Sequence, residues 1–241
     1  MRADGCGLWY NSRVLIPKVI HCCWLSGEPK GELAKKCLAS WRKFAPEWEV
    51  REWDLPSLSP FSPLPPFVRD AVAARKWAFA ADWVRFAVLN ECGGVYFDYD
   101  FELVRPIAEL PGGEWCAGQW LPGDRIAPEP AALALERGSP LARAMLDHYA
   151  ERAFGDKVTV GEVLETMRGG DRGLRIRVLD PEVLSPIGVD GKLRRTERTI
   201  GVHWYAMSWA DPKRKVLQWM KWHHLEPAVR LLVWMKRRMW G

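Results

Sequence analysis

The sequence lacks the features that mark several common protein classes. No stretch approaches about 18 consecutive uncharged apolar residues, which argues against a transmembrane helix. Residues 1–5 begin no apolar segment of the kind found in secretory signal peptides, so we expect no export signal. The six cysteines contain no C-x-x-C pair, which argues against a zinc knuckle or a thioredoxin-type motif. We therefore expect reduced thiols, mostly buried as small apolar residues.

The composition is that of an ordinary globular protein. Hydrophobic residues make up 48% of the 241 residues and charged residues 27%, a balance that excludes intrinsic disorder as the main state. No internal repeat is present, and the one biased stretch is a proline-rich loop at 55–66. A chain of this length buries enough surface to fold without a disulfide or a structural metal. We predict one domain at about 14–211, followed by a separate C-terminal segment at 212–241.

The C-terminal segment carries the positive charge. It contains eight Lys or Arg and one Glu, whereas the whole chain has a net charge of +5, so the preceding residues are slightly acidic. Its basic clusters alternate with Trp, Leu and Met, which is typical of a helix on an anionic membrane surface, interrupted here at Pro227. Two alternatives remain open: a helix packed on the domain with a solvated basic face, and a segment that binds RNA. We favour the membrane, and expect a cytoplasmic protein at the inner face of the membrane with no nucleic-acid partner.

Short apolar runs alternate with amphipathic stretches along the chain. Runs bounded by Gly, Ser or charged residues predict strands, and apolar residues at spacings of three and four predict helices. The predicted strands are 18–25, 48–53, 95–98, 175–179 and 199–204, with strand fragments near Trp115 in a loop-rich region at 101–130. The predicted helices are 31–44, 66–91, 139–154 and 160–168. This alternation favours a layered α/β fold.

Two acidic residues follow the strand predicted at 95–98. Asp98 and Asp100 lie two positions apart, behind a Gly93-Gly94 break and a short apolar run. In an extended chain both carboxylates point to one side, where they can hold a hard divalent cation together with phosphate oxygens. Ligands of open α/β sheets bind beyond the carboxyl ends of strands, which is the position of this pair. The alternative is a pair of solvated loop carboxylates.

A second charged pair lies in the helix predicted at 66–91. Asp82 and Arg85 are three residues apart, so their side chains are neighbours on a helix. Asp82 follows an apolar stretch, and a charge beside a core face often serves a functional site. The alternative is a surface ion pair worth roughly a few tenths of a kcal/mol.

Five segments together resemble one enzyme family. They are Ile16-Pro17-Lys18-Val19-Ile20-His21 with Trp24; Ser40-Trp41-Arg42-Lys43 with Pro46 and Trp53-Asp54; Ala80-Ala81-Asp82-Trp83-Val84-Arg85; Gly93-Gly94-Val95-Tyr96-Phe97-Asp98-Tyr99-Asp100; and Val202-His203-Trp204 with Ser208-Trp209. In this order they resemble glycosyltransferase family 32, a group of DXD-containing sugar transferases. The Gly-Gly-to-Asp block is the most specific of the five.

The resemblance implies a GT-A fold, a mixed central sheet flanked by helices, and a metal-dependent, retaining transfer of a hexose from a nucleotide diphosphate sugar. It implies that Asp98 and Asp100 hold Mn²⁺ or Mg²⁺ with His203 as third ligand, and that Asp82, Arg85 and Asp100 are catalytic. The donor-binding residues that it implies are His21, Trp24, Asp82, Arg85, Tyr96, Asp98 and Trp209. The cation would act as a Lewis acid on the diphosphate, and a histidine ligand modestly favours Mn²⁺. Without the resemblance, His203 is equally well a core histidine, and each Trp a packing residue.

The resemblance leaves the substrates broad. UDP-sugars and GDP-mannose both fit as donors, and we expect a glycan or lipid-linked acceptor in polysaccharide synthesis. No second carboxylate is recognisable as a nucleophile, and for such a site the resemblance implies front-face attack, with the leaving phosphate accepting the acceptor's proton. The alternative function is a non-catalytic glycan- or nucleotide-binding protein on the same fold.

Overall fold

A six-stranded mixed sheet and a small two-stranded sheet form the framework of the protein. The computed structural model describes residues 16–155, 159–169 and 176–206. The strands are β1 Val19–Cys23, β2 Glu49–Trp53, β3 Gly94–Phe97, β4 Phe101–Leu103, β5 Trp115–Leu121, β6 Arg125–Leu135, β7 Arg177–Val178 and β8 Gly201–His203. The large sheet has the order β2-β1-β3-β6-β5-β7, and β4 pairs with β8. Strands β1, β2 and β3 are parallel, whereas β6 is antiparallel to both of its neighbours.

The described residues also form six α-helices and two short 3₁₀ helices. The α-helices are α1 Glu32–Phe44, α2 Pro66–Ala73, α3 Trp77–Cys92, α4 Pro140–Glu151, α5 Val160–Gly169 and α6 Pro181–Leu184, and the 3₁₀ helices are Pro56–Phe61 and Ile107–Glu109. Strands that alternate with helices around a mixed sheet confirm the predicted α/β class.

Alternation along β3 separates the buried residues into two cores. Val95 and Phe97 belong to a core shared with α1, whereas Tyr96 between them belongs to a core shared with α3. Successive residues of a strand point to opposite faces of the sheet, so the position along β3 decides which helix layer a side chain meets. Most of α3 is buried, which fits a helix that contacts β1, β3 and β6.

The helix predicted at 66–91 is two helices, α2 and α3, because the chain turns at Arg75. Arg75 has a φ of 54°, a left-handed conformation that ends α2. The Lys76 N–H donates to Ala71 O at 2.8 Å and the Arg75 N–H donates to Val72 O at 3.0 Å, the two bonds of a Schellman helix end. No glycine, the usual marker of this ending, occupies the position, so the apolar periodicity extended the prediction across the break.

The region at 101–130, predicted to be loop-rich, contains β4, β5 and the first part of β6. Strand β6 has 11 residues and includes Pro128 and Pro130, which lack the N–H that a sheet strand normally donates. The pairing of β5 with β6 shifts between Cys116 and Ala117 and skips residues 130–132. The shift leaves Pro130 outside the pairing, whereas Pro128 lies opposite Gly118. Strand β5 confirms the strand predicted near Trp115, but the prediction missed β4 and the first part of β6.

The C-terminal segment predicted at 212–241 lies outside the described residues, and Trp209 does too. The domain boundary near residue 211 accordingly stays a prediction. Among the helices of the described ranges, none combines the length and the apolar character needed to cross a bilayer.

Two glycines set the entry of β3 into the sheet. Gly94 has a φ of 119°, and a Cβ built on it would lie 2.6 Å from Val19 O in β1. Gly93 before it has a φ of 64°. Glycine adopts such φ values without the steric cost that a side chain brings. The pair therefore fixes where β3 begins and so where Asp98 and Asp100 lie, four and six residues after Gly94.

We expect Gly94→Ala to lower the free energy of unfolding by about 2–4 kcal/mol, because the new methyl group meets the β1 backbone at a disfavoured φ. Gly112→Ala is the matched control, since nothing lies within 4 Å of a Cβ there and its φ is outside the left-handed region. We expect that control to change stability by no more than about 0.5 kcal/mol. Urea unfolding followed by tryptophan fluorescence measures both variants, and equal effects would contradict the assigned role of Gly94.

Candidate active site

Four chain segments meet at one edge of the large sheet. The carboxyl ends of β1 and β3 lie at this edge because the two strands are parallel. Strand β6 runs the other way and reaches the edge with its earlier residues, since Phe97 pairs with Ala132 and the Asp98 N–H donates to Ala131 O at 2.9 Å. Helix α3 contacts all three strands. The edge is where ligands of open α/β sheets bind.

The two DXD carboxylates lie in a tight turn between β3 and β4. The Phe101 N–H donates to Asp98 O at 2.9 Å, so the segment is a turn and not the extended chain assumed from the sequence. The side chains of Asp98 and Asp100 are 28% and 20% exposed, which leaves each carboxylate accessible from one side. They are therefore not the fully solvated loop pair of the alternative interpretation.

Tyr99, between the two acidic residues, anchors the turn in the core. Its hydroxyl donates to the Glu52 carboxylate on β2, and its ring packs against the rings of Trp24 and Trp41, with centroid distances of 5.0 and 6.1 Å. Aromatic contacts of this kind hold a side chain in one orientation. The buried tyrosine thereby fixes the backbone from which both carboxylates project.

Strand β8 brings His203 to the acidic turn. β8 is antiparallel to β4 and pairs His203 with Phe101, and the Trp204 N–H donates to Asp100 O at 2.9 Å. Tyr205 then takes a φ of 48°, which turns the chain so that the Ala206 N–H donates to Asp100 Oδ2 at 2.8 Å. As a result, His203 Nε2 lies 3.4 Å from Asp100 Oδ1.

The residues at this turn fit a divalent cation. One ligand atom from each of Asp98, Asp100 and His203 lies within 4.8 Å of the others, close enough for one ion to contact all three. Two carboxylate oxygens with one imidazole nitrogen suit Mn²⁺, and Mg²⁺ accepts the oxygen ligands. The structure thus brings together the three metal ligands predicted from the sequence.

Arg85 is a buried cation beside this turn. It is 4% exposed, and its Nη2 donates to Asp82 Oδ1 at 2.8 Å and lies 3.6 Å from Asp98 Oδ1. Its Nη1 donates to Pro130 O at 2.7 Å, and its Cζ lies 4.9 Å from the centre of the Tyr96 ring. This burial excludes the surface ion pair that the spacing alone allowed.

The site crowds carboxyl groups around one guanidinium. Burial raises the pKa of Asp82 to about 7, although Arg85 opposes the rise. Burial likewise raises the pKa of Asp98 and of Glu129, and their mutual repulsion adds to the increase for Glu129. An added cation would relieve this repulsion, which is a second reason that the site suits a metal ion.

Asp100 and His203 form a coupled pair within the site. Burial opposes ionisation of Asp100, but the His203 imidazole and the Ala206 N–H outweigh it and lower the pKa of the carboxyl. Burial disfavours the charged imidazole, yet Asp100 and Glu129 raise the pKa of His203 to about 9. A cation that binds Nε2 must therefore displace a proton, which makes metal affinity increase with pH.

Two of the predicted donor-binding residues, Trp24 and Tyr96, differ in burial and in hydrogen-bond partner. Trp24 is half-buried at the end of β1, and its Nε1 donates to Glu28 O at 2.6 Å. Tyr96 is 1% exposed and its hydroxyl lies 3.1 Å from Cys23 Sγ. Contact of either residue with a donor stays a prediction.

The His21 side chain is fully buried, and both of its ring nitrogens have partners within the protein. It is 0% exposed, its Nε2 donates to Gly93 O at 3.0 Å, and its Nδ1 accepts from Trp53 Nε1 at 3.0 Å. Both ring nitrogens are used within the protein, so this geometry does not support the predicted donor contact. The ring instead ties β1 to the glycine pair and to β2.

Glu129 is a site residue that the sequence pattern did not predict. Its side chain is 13% exposed, and its Oε1 lies 3.9 Å from His203 Nδ1. Its position between Pro128 and Pro130 is typical of a loop. The one available signal was a single acidic residue at the head of an apolar run, 130–135.

Comparison with protein families finds a match within the first half of the chain. Residues 31–117, about a third of the sequence, match the model of a family described as "Glycosyltransferase sugar-binding region containing DXD motif". The matched range contains Asp82, Arg85, Asp98 and Asp100. The chain thus carries a glycosyltransferase region, in agreement with the transferase predicted from the sequence. A search of curated proteins found no significant match.

One solved structure shares this architecture over most of the chain. A glycosyltransferase involved in the glycosylation of the major capsid of PBCV-1 is 11% identical, with a TM-score of 0.50 over 86% of this chain and 98% of that one. The PaToxG glycosyltransferase is 23% identical, with a TM-score of 0.48 over 55% of this chain, and the aligned part spans 60% of that protein. The first of these likenesses bears out the predicted GT-A-like fold.

The buried histidine of β1 predicts a specific pH dependence of stability. Burial lowers the pKa of His21 to about 4, so the unfolded chain binds this proton more readily than the folded one. The stabilisation is complete above the unfolded pKa near 6.5 and is lost as the pH falls toward 4. We expect wild type to lose about 2 kcal/mol more than His21→Gln between pH 7.5 and 5.0, measured by urea unfolding. Parallel pH profiles of the two proteins would contradict this assignment.

Proposed function

We propose that the protein is a metal-dependent, retaining glycosyltransferase of family 32 that moves a hexose from a nucleotide diphosphate sugar to a glycan or lipid-linked acceptor. The observation that carries the proposal is the meeting of Asp98, Asp100 and His203 ligand atoms within 4.8 Å. This cluster lies beside a buried Asp82–Arg85 pair at the ligand-binding edge of a GT-A-like sheet.

The acidic turn would hold the cation. Asp98, Asp100 and His203 fit Mn²⁺ or Mg²⁺, which when bound supplies Lewis-acid stabilisation of a diphosphate leaving group. The turn contributes rigidity, because Tyr99 holds its backbone in the core and Ala206 N–H holds one Asp100 oxygen. A carboxylate fixed in this way loses little freedom when a ligand binds.

Asp82 and Arg85 would orient the donor sugar. The guanidinium already donates to Asp82 and to Pro130 O, which favours a positioning role for Arg85 over a direct contact. Asp82 keeps 18% of its side chain exposed and can accept a hydrogen bond from a sugar hydroxyl. Holding the sugar by its hydroxyls places the anomeric carbon for transfer.

We expect the donor to be a UDP-sugar or GDP-mannose, and we expect the half-buried Trp24, directly after β1, to stack on its base. In the transfer, the bond from the anomeric carbon to the phosphate oxygen breaks, and the acceptor oxygen bonds to that carbon from the same face. The leaving phosphate takes the acceptor's proton.

The alternative function is a non-catalytic glycan- or nucleotide-binding protein on this fold, which would bind a donor without turnover.

Donor turnover tests the proposal. We expect Mn²⁺-dependent release of nucleoside diphosphate from one sugar in a panel of UDP- and GDP-sugars, accompanied by a donor-induced rise in Tm. Asp100→Asn should reduce turnover at least about 100-fold, because it removes one charge from the cation site. Asp70→Asn, on the exposed surface of α2, is the matched control and should retain full activity.

Turnover that is independent of added metal or retained in Asp100→Asn would contradict the proposed site. A donor-induced rise in Tm without release of nucleoside diphosphate would favour the non-catalytic rival.

We also propose that the basic, Trp-rich segment at 212–241 holds the enzyme at the inner face of the membrane, close to a lipid-linked acceptor. Its alternation of basic and apolar clusters supports this placement. Replacing Lys213, Arg214 and Lys215 with Gln should weaken binding to phosphatidylserine-containing vesicles roughly 100-fold, since each basic residue contributes about 1 kcal/mol.

Flotation with anionic and neutral vesicles measures this binding. The matched control replaces three exposed basic residues of the domain, Lys43, Arg69 and Lys76, with Gln. Equal losses in the two triple variants, or equal binding to neutral vesicles, would contradict a specific role for the segment.

A further inference from the structure

His203 lies between two carboxylates, one at each ring nitrogen. Its Nε2 is 3.4 Å from Asp100 Oδ1, and its Nδ1 is 3.9 Å from Glu129 Oε1. The Tyr205 ring packs on the imidazole with a centroid distance of 4.0 Å, and the His203 side chain is 9% exposed. The ring can therefore present Nε2 to the acidic turn only while Nδ1 faces Glu129.

The Nδ1 atom is buried and makes no hydrogen bond within the described ranges. A buried ring N–H without an acceptor costs about 1–3 kcal/mol, so a nearby acceptor strongly affects which orientation the ring takes. Glu129 Oε1 is the carboxylate oxygen placed toward this atom, at a distance that a small movement would shorten to a hydrogen bond.

Glu129 is itself held in place by its strand. It pairs with Ala117 of β5, and its neighbours Pro128 and Pro130 have restricted backbones. The Ala131 N–H donates to Glu129 Oε1, with an N-to-O distance of 3.4 Å. The carbonyl group of the same alanine accepts a hydrogen bond from the Asp98 N–H. The carboxylate and the acidic turn are thus parts of one hydrogen-bonded unit.

We propose that Glu129 is a positioning residue for the metal site: its carboxylate accepts a hydrogen bond from His203 Nδ1–H, fixes the ring orientation and tautomer, and leaves the Nε2 lone pair for the cation. This inference rests on the proposed function. A metal-binding histidine nitrogen is more basic and better oriented when a carboxylate accepts the proton on the other nitrogen, and loss of such a partner typically costs about 10–100-fold in metal affinity.

Mn²⁺ binding to the full chain tests the proposal without turnover. We expect Glu129→Ala to weaken Mn²⁺ binding about 10-fold or more, measured by titration of the free Mn²⁺ EPR signal. Glu129→Gln, which keeps the size of the side chain and an acceptor oxygen, should lose less. Both variants are checked for folding by circular dichroism and urea unfolding.

A double-mutant cycle shows whether Glu129 acts through the histidine. In a His203→Ala background, Glu129→Ala should change Mn²⁺ affinity less than about twofold, because the ligand that it orients is absent. The Mn²⁺ preference over Mg²⁺ should fall in Glu129→Ala, since the lost nitrogen ligand favours Mn²⁺. A merely structural role would weaken both ions equally.

Three results would overturn the proposal. The first is unchanged Mn²⁺ affinity in Glu129→Ala. The second is an equal loss in the wild-type and His203→Ala backgrounds, which would make Glu129 an independent metal ligand. The third is an absence of Mn²⁺ binding in wild type, which would also count against the proposed function. Intact binding that depends on Asp100 but not on Glu129 would overturn this inference alone.

Discussion

The buried guanidinium of Arg85 is the constraint around which the site is organised. A buried charge costs several kcal/mol unless it is paired and hydrogen-bonded, so the groups around it have little freedom. Its hydrogen bonds to Asp82 and Pro130 O, and its approach to Asp98, join helix α3, the middle of β6 and the turn after β3. A single side chain thus holds three elements from separate parts of the chain in fixed positions relative to one another. The same guanidinium limits the repulsion among the acidic groups around it.

Two antiparallel strands bring further residues to the site at which the parallel strands β1 and β3 end. Parallel strands deliver their carboxyl ends to the edge, but a strand that runs the other way can bring residues to that edge from later in the chain. Strand β6 does so with Glu129, and β8 does so with His203, which lies opposite Phe101. Tyr99 on one side of the acidic turn and Tyr205 on the other pack against rings that keep the turn in place. The positions of the three predicted ligands therefore depend on the aromatic packing of Tyr99 and Tyr205 beside them.

Local chemistry made part of this arrangement predictable. The positions of Asp98 and Asp100 after a glycine pair and an apolar run follow from neighbours in the sequence, and helix geometry alone places Asp82 beside Arg85. Burial and long-range pairing decide the rest. Strand β6 was missed because its prolines argue against a strand until the neighbouring strands are known. His21 was assigned to the donor because nothing local shows that β2 and the glycine pair occupy both of its nitrogens.

Anomalous diffraction of Mn²⁺, in crystals of the full chain grown with the metal and a nucleoside diphosphate, tests most directly whether the acidic turn and His203 form a cation site. We expect one strong peak within bonding distance of Asp98, Asp100 and His203, with the diphosphate oxygens on its open side. A bound nucleotide with no peak there, or a peak held by other residues, would contradict the account.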